Sequence, residues 1–73
     1  MEIFSPKKLK ERRQELNLTQ TRLAQLAKLS RIHLANIERG KGIPGASILA
    51  RLANVLQVKV DYFFIDDKAN YCS

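Results

Sequence analysis

The chain has 73 residues, 13 Lys and Arg against seven Asp and Glu, and a formal net charge of +6. This length suits one domain, residues 1–73. The core of so small a domain gives it only marginal stability, so self-association is favourable. The hydrophobic fraction of 45% is that of a globular protein. No apolar run approaches the roughly 20 residues of a membrane span and the N-terminus lacks a secretory apolar segment, so we expect a cytosolic protein that does not contact membranes.

The positive charge is concentrated in the first part of the chain. Residues 1–41 contain ten Lys and Arg against four Asp and Glu, whereas residues 42–73 contain three of each kind. A basic surplus on one side is typical of a nucleic-acid-binding protein. A solubilising surface and a contact with anionic membrane are alternatives that charge alone does not exclude.

Hydroxyl side chains predict where the first three helices begin. Ser5, Thr19 and Ser30 each precede a helical pattern and are good N-cap residues. Pro6 follows Ser5 at the first helical position, where its missing N–H costs nothing. Gly40 predicts the end of the third helix because it tolerates left-handed dihedrals.

Apolar residues at helical spacing give these three helices an inner face. The inner residues are Leu9 and Leu16 with Arg13 nearly in line, then Leu23, Ala24 and Ala27, then Leu34 and Ile37. Ile32 lies about 170° from the middle of the third helix's inner face and is expected to point outward.

The remaining elements follow a turn, KGIPG, that contains two glycines around Pro44. The segment ASILARLANVL predicts a fourth helix with a broad buried face. The segment VKVDYFFID would suit a strand by composition, but no second strand is evident to pair with it. We therefore expect a closing helical turn from Val60 to about Ile65, then a polar tail, and no strand.

Two of these helices form a unit over residues 19–39. Each has about two turns, and only Lys28–Leu29–Ser30 separates them. So short a turn forces the axes to cross steeply, as in a helix-turn-helix. In that arrangement the second helix presents its N-terminal residues to the major groove of DNA.

The start of the second helix of this unit has side chains that suit base edges. Arg31 has the donors for guanine O6 and N7, and Asn36 suits adenine N6 and N7. Ile32 would cover a thymine methyl group. Burial of Ile32 against a dimer partner is the competing explanation.

The residues LTQ, LA, S and IERG occur in this order within residues 18–40, and Pro44 and LARLANVLQVKVD come after them. In these residues the chain resembles the phage-repressor-type (Cro-like) helix-turn-helix regulators of bacteria and phages. The resemblance covers about residues 6–65. It implies an all-α fold, a compact bundle of four helices plus a short fifth, similar to the lambda-repressor DNA-binding domain. It also implies a homodimer, joined through about residues 57–73, that binds double-stranded DNA at a near-palindromic operator.

The resemblance assigns roles to individual residues. Those expected to read bases are Arg31, Ile32, Ala35 and Asn36. The resemblance places Gln20, Arg39 and Lys41 at the phosphates, and Thr19, Lys28 and His33 are expected there as well. Gln20 could instead be only a helix former and His33 only a solvated side chain. Lys28 departs from the family, which usually has glycine in that turn. The resemblance therefore does not fix the orientation of the helix that begins after Ser30.

Two further sets of residues are expected to have structural roles. Arg13 and Glu38 correspond to a family ion pair between the first and third helices. The dimer interface is expected to contain Val60, Tyr62, Phe63, Phe64 and Ile65, which offer more apolar surface than one short terminal segment needs. Some of these five are expected to pack inward.

The sequence leaves other functions open. An antitoxin or another protein-interaction module on the same fold is the main alternative, with Arg31 and Asn36 then dispensable. RNA binding is weaker because residues 5–41 contain no aromatic side chain. We expect no catalytic residues, cofactor, metal site or small-molecule ligand. Cys72 and the pair Asp66–Asp67 are expected to have no role.

Overall fold

The computed structural model describes residues 2–66, in which four α-helices surround one core. The elements, in chain order, are β1 Glu2–Phe4, α1 Pro6–Glu15, α2 Gln20–Leu26, α3 Arg31–Glu38, α4 Ala46–Leu56, a 3-10 turn Val60–Phe63 and β2 Phe64–Asp66. The four predicted helices and the short fifth helical element are confirmed. No helix among these residues is long and apolar enough to cross a membrane.

The predicted caps of the first three helices are confirmed. In each, the side-chain hydroxyl accepts a hydrogen bond from the backbone N–H three residues later. The pairs are Ser5 with Lys8, Thr19 with Arg22, and Ser30 with His33. Helix α4 begins after Gly45 without such a side-chain bond.

All four helices end in the same way, although only one of them uses glycine. The residue after the last turn has a positive φ, and the following N–H returns to a carbonyl five residues earlier. The residues with positive φ are Asn17 (58°), Lys28 (59°), Gly40 (80°) and Gln57 (59°). Leu18, Leu29 and Val58, which follow the three non-glycine residues, pack against the core. This apolar contact fixes the sharp exit of the chain from α1, α2 and α4.

The core draws on every helix. The largest fully buried side chains are Leu9 of α1, Leu23 of α2, Leu34 of α3, Leu52 and Leu56 of α4, and Phe63. Burial of a side chain of this size stabilises the fold by about 1.5–3 kcal/mol. The helix-turn-helix unit is therefore held by α1 and α4 as well as by its own short turn.

The expectation that the chain has no strand was wrong. Strand β1 pairs antiparallel with β2, with Ile3 opposite Ile65 and Phe4 opposite Phe64. The Ser5 N–H also donates to the Phe63 carbonyl at 2.7 Å. The missing partner strand was the N-terminus itself, only three residues long, and the closing helical turn stops at Phe63 rather than continuing to about Ile65.

Phe63 was wrongly assigned to a dimer surface. It has no exposed area, and its ring packs edge-on against Phe4, with a centroid distance of 6.3 Å. The reason is the 3-10 turn, which directs this side chain into the core before the strand begins. Tyr62 and Phe64 are partly buried against the core, whereas Ile3 remains 41% exposed. Asp67, Cys72 and the rest of the predicted tail lie outside the described residues.

Candidate nucleic-acid interface

The outward face of α3 has the residues that the sequence assigned to base reading. Arg31 and Ile32 are exposed, and Ile32 retains 67% of its accessible surface. Ala35 and Asn36, one turn further along, are half-buried. The opposite face buries Leu34 and Ile37. Because side chains three and four residues apart share a face, Ile32, Ala35 and Asn36 form one surface. In the first turn of α3 this surface is exposed to solvent.

The turn before α3 adopts the conformation that usually calls for glycine. Lys28 has a φ of 59°, and the Leu29 N–H donates to the Ala24 carbonyl at 2.8 Å to close the end of α2. Leu29 then packs against the core. The lysine therefore occupies a left-handed position, and its side chain is exposed beside the start of α3.

A buried ion pair joins α1 to α3. Arg13 Nε lies 2.8 Å from Glu38 Oε2, and Arg13 Nη2 lies 3.2 Å from Glu38 Oε1. The third guanidinium nitrogen, Nη1, donates to the Leu18 carbonyl at 2.7 Å, just before α2. Because a guanidinium is planar, these bonds fix the angle between α1 and the end of α3.

Gln20 belongs to the same cluster. Its Nε2 donates to Glu38 Oε1 at 3.0 Å, so α2 is tied to α3 at the carboxylate that Arg13 already holds. The sequence assigned Gln20 to phosphate and gave no sign of this bond. A glutamine at the first residue of α2, next to a turn, contains no signal for a partner 18 residues away.

The other residues assigned to phosphate lie on the surface. Thr19, Lys28, His33, Arg39 and Lys41 are all exposed. They occupy the start of α2, the turn, the flank of α3 and the segment after α3. The Thr19 hydroxyl caps α2 by accepting from Arg22 N–H, which leaves its own proton free to donate.

The surface of α2, α3 and α4 has charge of one sign. Between residues 16 and 58 the sequence has a single acidic residue, Glu38, and its side chain is only 3% exposed. The exposed cations of this stretch are Arg22, Lys28, Arg31, Arg39, Lys41 and Arg51. The other acidic residues within 2–66 lie in α1, the 3-10 turn and the two strands. This separation produces a positive field over the helix-turn-helix.

A known family accounts for this arrangement. The model of the helix-turn-helix family HTH_3 matches residues 9–63, which is most of the chain. The chain belongs to this family. The match includes α2, α3 and α4 in full, together with the Arg13–Glu38 pair.

Individual helix-turn-helix proteins are similar over the same region. The immunity repressor protein of Bacillus phage phi105 is 43% identical over 53 residues, which are 73% of this chain and 37% of that repressor. The chain thus spans little more than a third of that relative's length. The restriction-modification controller protein C.AhdI from Aeromonas hydrophila is 29% identical with a TM-score of 0.78, covering 81% of this chain and 89% of the controller.

A third likeness concerns the fold alone. The P22 c2 repressor, solved in complex with a synthetic operator, has a TM-score of 0.78 at 24% identity, covering 84% of this chain and 92% of that one. The four-helix arrangement around the helix-turn-helix is therefore shared with a phage repressor.

Proposed function

We propose that this helix-turn-helix protein is a transcriptional regulator of the phage-repressor type that binds double-stranded DNA sequence-specifically, as a homodimer on a near-palindromic operator. The observation that supports the proposal best is the free first turn of α3, with Arg31 and Ile32 exposed inside a surface that has no exposed acid. The proposal assigns no catalytic step, cofactor or small-molecule ligand to the chain.

In this proposal the face of α3 reads bases. Arg31 donates two hydrogen bonds to a guanine, Ile32 covers a thymine methyl group, and Asn36 pairs with an adenine edge. Ala35 lies between Ile32 and Asn36 on this face and allows close approach because it is small. A good bidentate contact discriminates against a wrong base by about 1–3 kcal/mol.

The exposed polar groups around α3 hold the DNA backbone. The proposed phosphate contacts are Thr19, Lys28, His33, Arg39 and Lys41, with Gln20 through the part of its amide that Glu38 does not use. Each neutralised phosphate makes the slope of log affinity against log salt concentration more negative by about 0.9. Several Lys or Arg contacts per half-site would therefore make binding strongly dependent on salt.

The Arg13–Glu38–Gln20 cluster positions α3 and does not itself touch a base. It ties α1, the start of α2 and the end of α3 together through four hydrogen bonds. A rigid reading helix loses less conformational freedom when it enters the groove. This supports a role in affinity for residues that lie behind the interface.

Homodimerisation would use the partly exposed apolar residues of the two strands and the 3-10 turn. The members of this apolar surface are Ile3, Val60, Tyr62, Phe64 and Ile65, without Phe63. A two-fold dimer would place two reading helices about one DNA turn apart, roughly 34 Å. The fully buried Phe63 then anchors the segment that presents the surface.

In vitro selection from a randomised duplex library, at physiological salt, tests the proposal. The expected result is enrichment of an inverted repeat whose half-site centres are about 10 base pairs apart, or a multiple of that. Retention without enrichment, lost steeply as salt rises, would mean phosphate binding alone. That outcome would overturn the operator model and favour the protein-interaction module.

A further inference from the structure

A groove separates α2 from α4, and only Lys28 among the residues that line it is also a proposed DNA contact. It encloses about 560 Å³ and is lined by Leu26, Lys28, Arg51, Asn54 and Val55. No residue of α3 lines it. Its volume is within the range of about 300–1,000 Å³ that binding clefts have.

Two of the five residues that line the groove, Leu26 and Val55, are apolar. Leu26 keeps 42% of its surface exposed although it is in the last turn of α2, and Val55 is half-buried opposite it. Concave sites that combine apolar side chains with a few polar groups are typical of binding surfaces. These two side chains would together accommodate one apolar anchor.

The rim of the groove is positive and has no acidic residue. Arg51 Nη1 donates to the Lys28 carbonyl at 3.4 Å, which places the guanidinium across the groove from α4 to the turn. Arg22 lies one helical turn before Leu26 and is also exposed. The Asn54 amide adds a donor and an acceptor. An occupant with carboxylates would therefore be complementary to this rim.

We propose that the α2–α4 groove is a docking site for an acidic, amphipathic segment of a protein partner. An apolar side chain of the segment inserts between Leu26 and Val55, while its carboxylates pair with Arg51 and Lys28. Leu26 and Val55 favour such a peptide over a nucleic-acid backbone, which has no apolar side chain to place between them. The site is separate from the proposed base-reading face of α3 and shares only Lys28 with the proposed phosphate contacts.

Lys28 is shared between this groove and the proposed phosphate contacts, so the critical variants avoid it. The probe is a fluorescein-labelled 12-residue peptide of Glu, Asp and Leu with the leucines at helical spacing, and a version with Ser for Leu is its matched control. Amide chemical shifts of the labelled full chain report where the probe binds. The protein variants are Leu26→Ser and Arg51→Gln, with Lys59→Gln as a control that removes an equal charge from an exposed position elsewhere.

The expected shifts cluster at the five lining residues, and the Leu-containing probe binds better than its Ser version. Arg51→Gln weakens binding by about twofold to fivefold, as exposed ion pairs do, and Leu26→Ser by about tenfold, whereas Lys59→Gln has no such effect. Equal binding of both probes would overturn the proposal, as would shifts centred on α3. Loss of duplex binding in Arg51→Gln, without loss of peptide binding, would assign the groove to DNA instead. None of these outcomes depends on whether selection yields an operator.

Discussion

Arg13 and Glu38 are 25 residues apart in the sequence and form a two-bond ion pair, with nitrogen–oxygen distances of 2.8 and 3.2 Å. Their side chains are only 10% and 3% exposed. The pair lies between α1 and the last turn of α3. Because both charges are largely removed from water, each depends on the other for its stabilisation, and the orientation of α3 depends on both.

Replacement of Glu38 by glutamine should strongly destabilise the domain. The substitution leaves the Arg13 guanidinium partly buried without its counter-charge, although the amide oxygen of the substituted side chain can still accept one hydrogen bond. We expect a loss of about 2–4 kcal/mol in the free energy of unfolding, below the full cost of breaking a buried pair because one bond survives. Urea denaturation measures this loss.

Glu15→Gln is the matched control for this substitution. Glu15 pairs with Arg12 at 3.1 Å, but its side chain is 58% exposed, so the same chemical change should cost less than about 0.5 kcal/mol. Equal stability of Glu38→Gln and the parent would show that the pair does not hold α3.

Local patterns predicted the helices and the outward direction of Ile32 on α3 well. The caps at Ser5, Thr19 and Ser30 involve partners three residues away, so the sequence contains both members of each bond. The outward direction of Ile32 follows from helical rotation alone. Such features depend on neighbours within about one turn, and a single sequence shows those neighbours directly.

Contacts between distant segments could not be predicted in the same way. Strands β1 and β2 have three residues each and lie at opposite ends of the described chain, too short to show an alternating pattern. Without that pairing, Phe63 was indistinguishable from its apolar neighbours. The bond from Gln20 to Glu38 likewise depends on how α2 crosses α3, which residue spacing does not determine.

Lys28→Gly should stabilise the protein. A side chain at a φ of 59° costs about 1–2 kcal/mol relative to glycine, and the greater freedom of unfolded glycine offsets about 0.5–1 kcal/mol of that. The net gain is about 0.75 kcal/mol at the middle of these ranges, which would raise the thermal midpoint of so small a domain by about 3–6 °C. Lys28→Ala is the control because it removes the charge but keeps the Cβ atom. An equal gain in Lys28→Ala would mean that charge repulsion, and not backbone strain, was relieved.

Ile3→Ser should weaken the proposed homodimer without unfolding the monomer. Ile3 is 41% exposed and pairs in register with Ile65, so its outer surface is part of the proposed interface. We expect the dimer dissociation constant to rise by about tenfold, measured by sedimentation equilibrium. Ile43→Ser is the control, since Ile43 is 76% exposed and lies in the α3–α4 loop. A parent protein that is only monomeric at micromolar concentration would contradict the dimer itself.

Phe63→Ala should lower the stability of the monomer rather than the affinity of the dimer. Because Phe63 has no exposed surface, its loss leaves a cavity in the core and should cost about 3–5 kcal/mol. This is a large share of the roughly 4–11 kcal/mol expected for a domain of this length. Weakened dimerisation with unchanged monomer stability in Phe63→Ala would show that the side chain faces a partner after all.

Ile32→Ala tests base reading directly. Because Ile32 is 67% exposed, its truncation should change the free energy of unfolding by less than about 0.5 kcal/mol. Loss of its contact with a thymine methyl group should relax the preference at one position of the half-site by about 1 kcal/mol. Selection followed by competition binding at fixed salt measures that preference, once for each base at each position.

Two further isoleucines make this test specific. Ile37 is 2% exposed on the opposite face of α3. Its change to Ala should lower the free energy of unfolding by about 2–5 kcal/mol. Ile43 is as exposed to solvent as Ile32 but lies outside α3. Its change to Ala should alter neither the free energy of unfolding nor the base preference. If Ile32→Ala unfolds the domain as Ile37→Ala does, Ile32 belongs to the core. If it leaves every base preference intact as Ile43→Ala does, its exposure has another cause, and contact with a dimer partner becomes the better explanation.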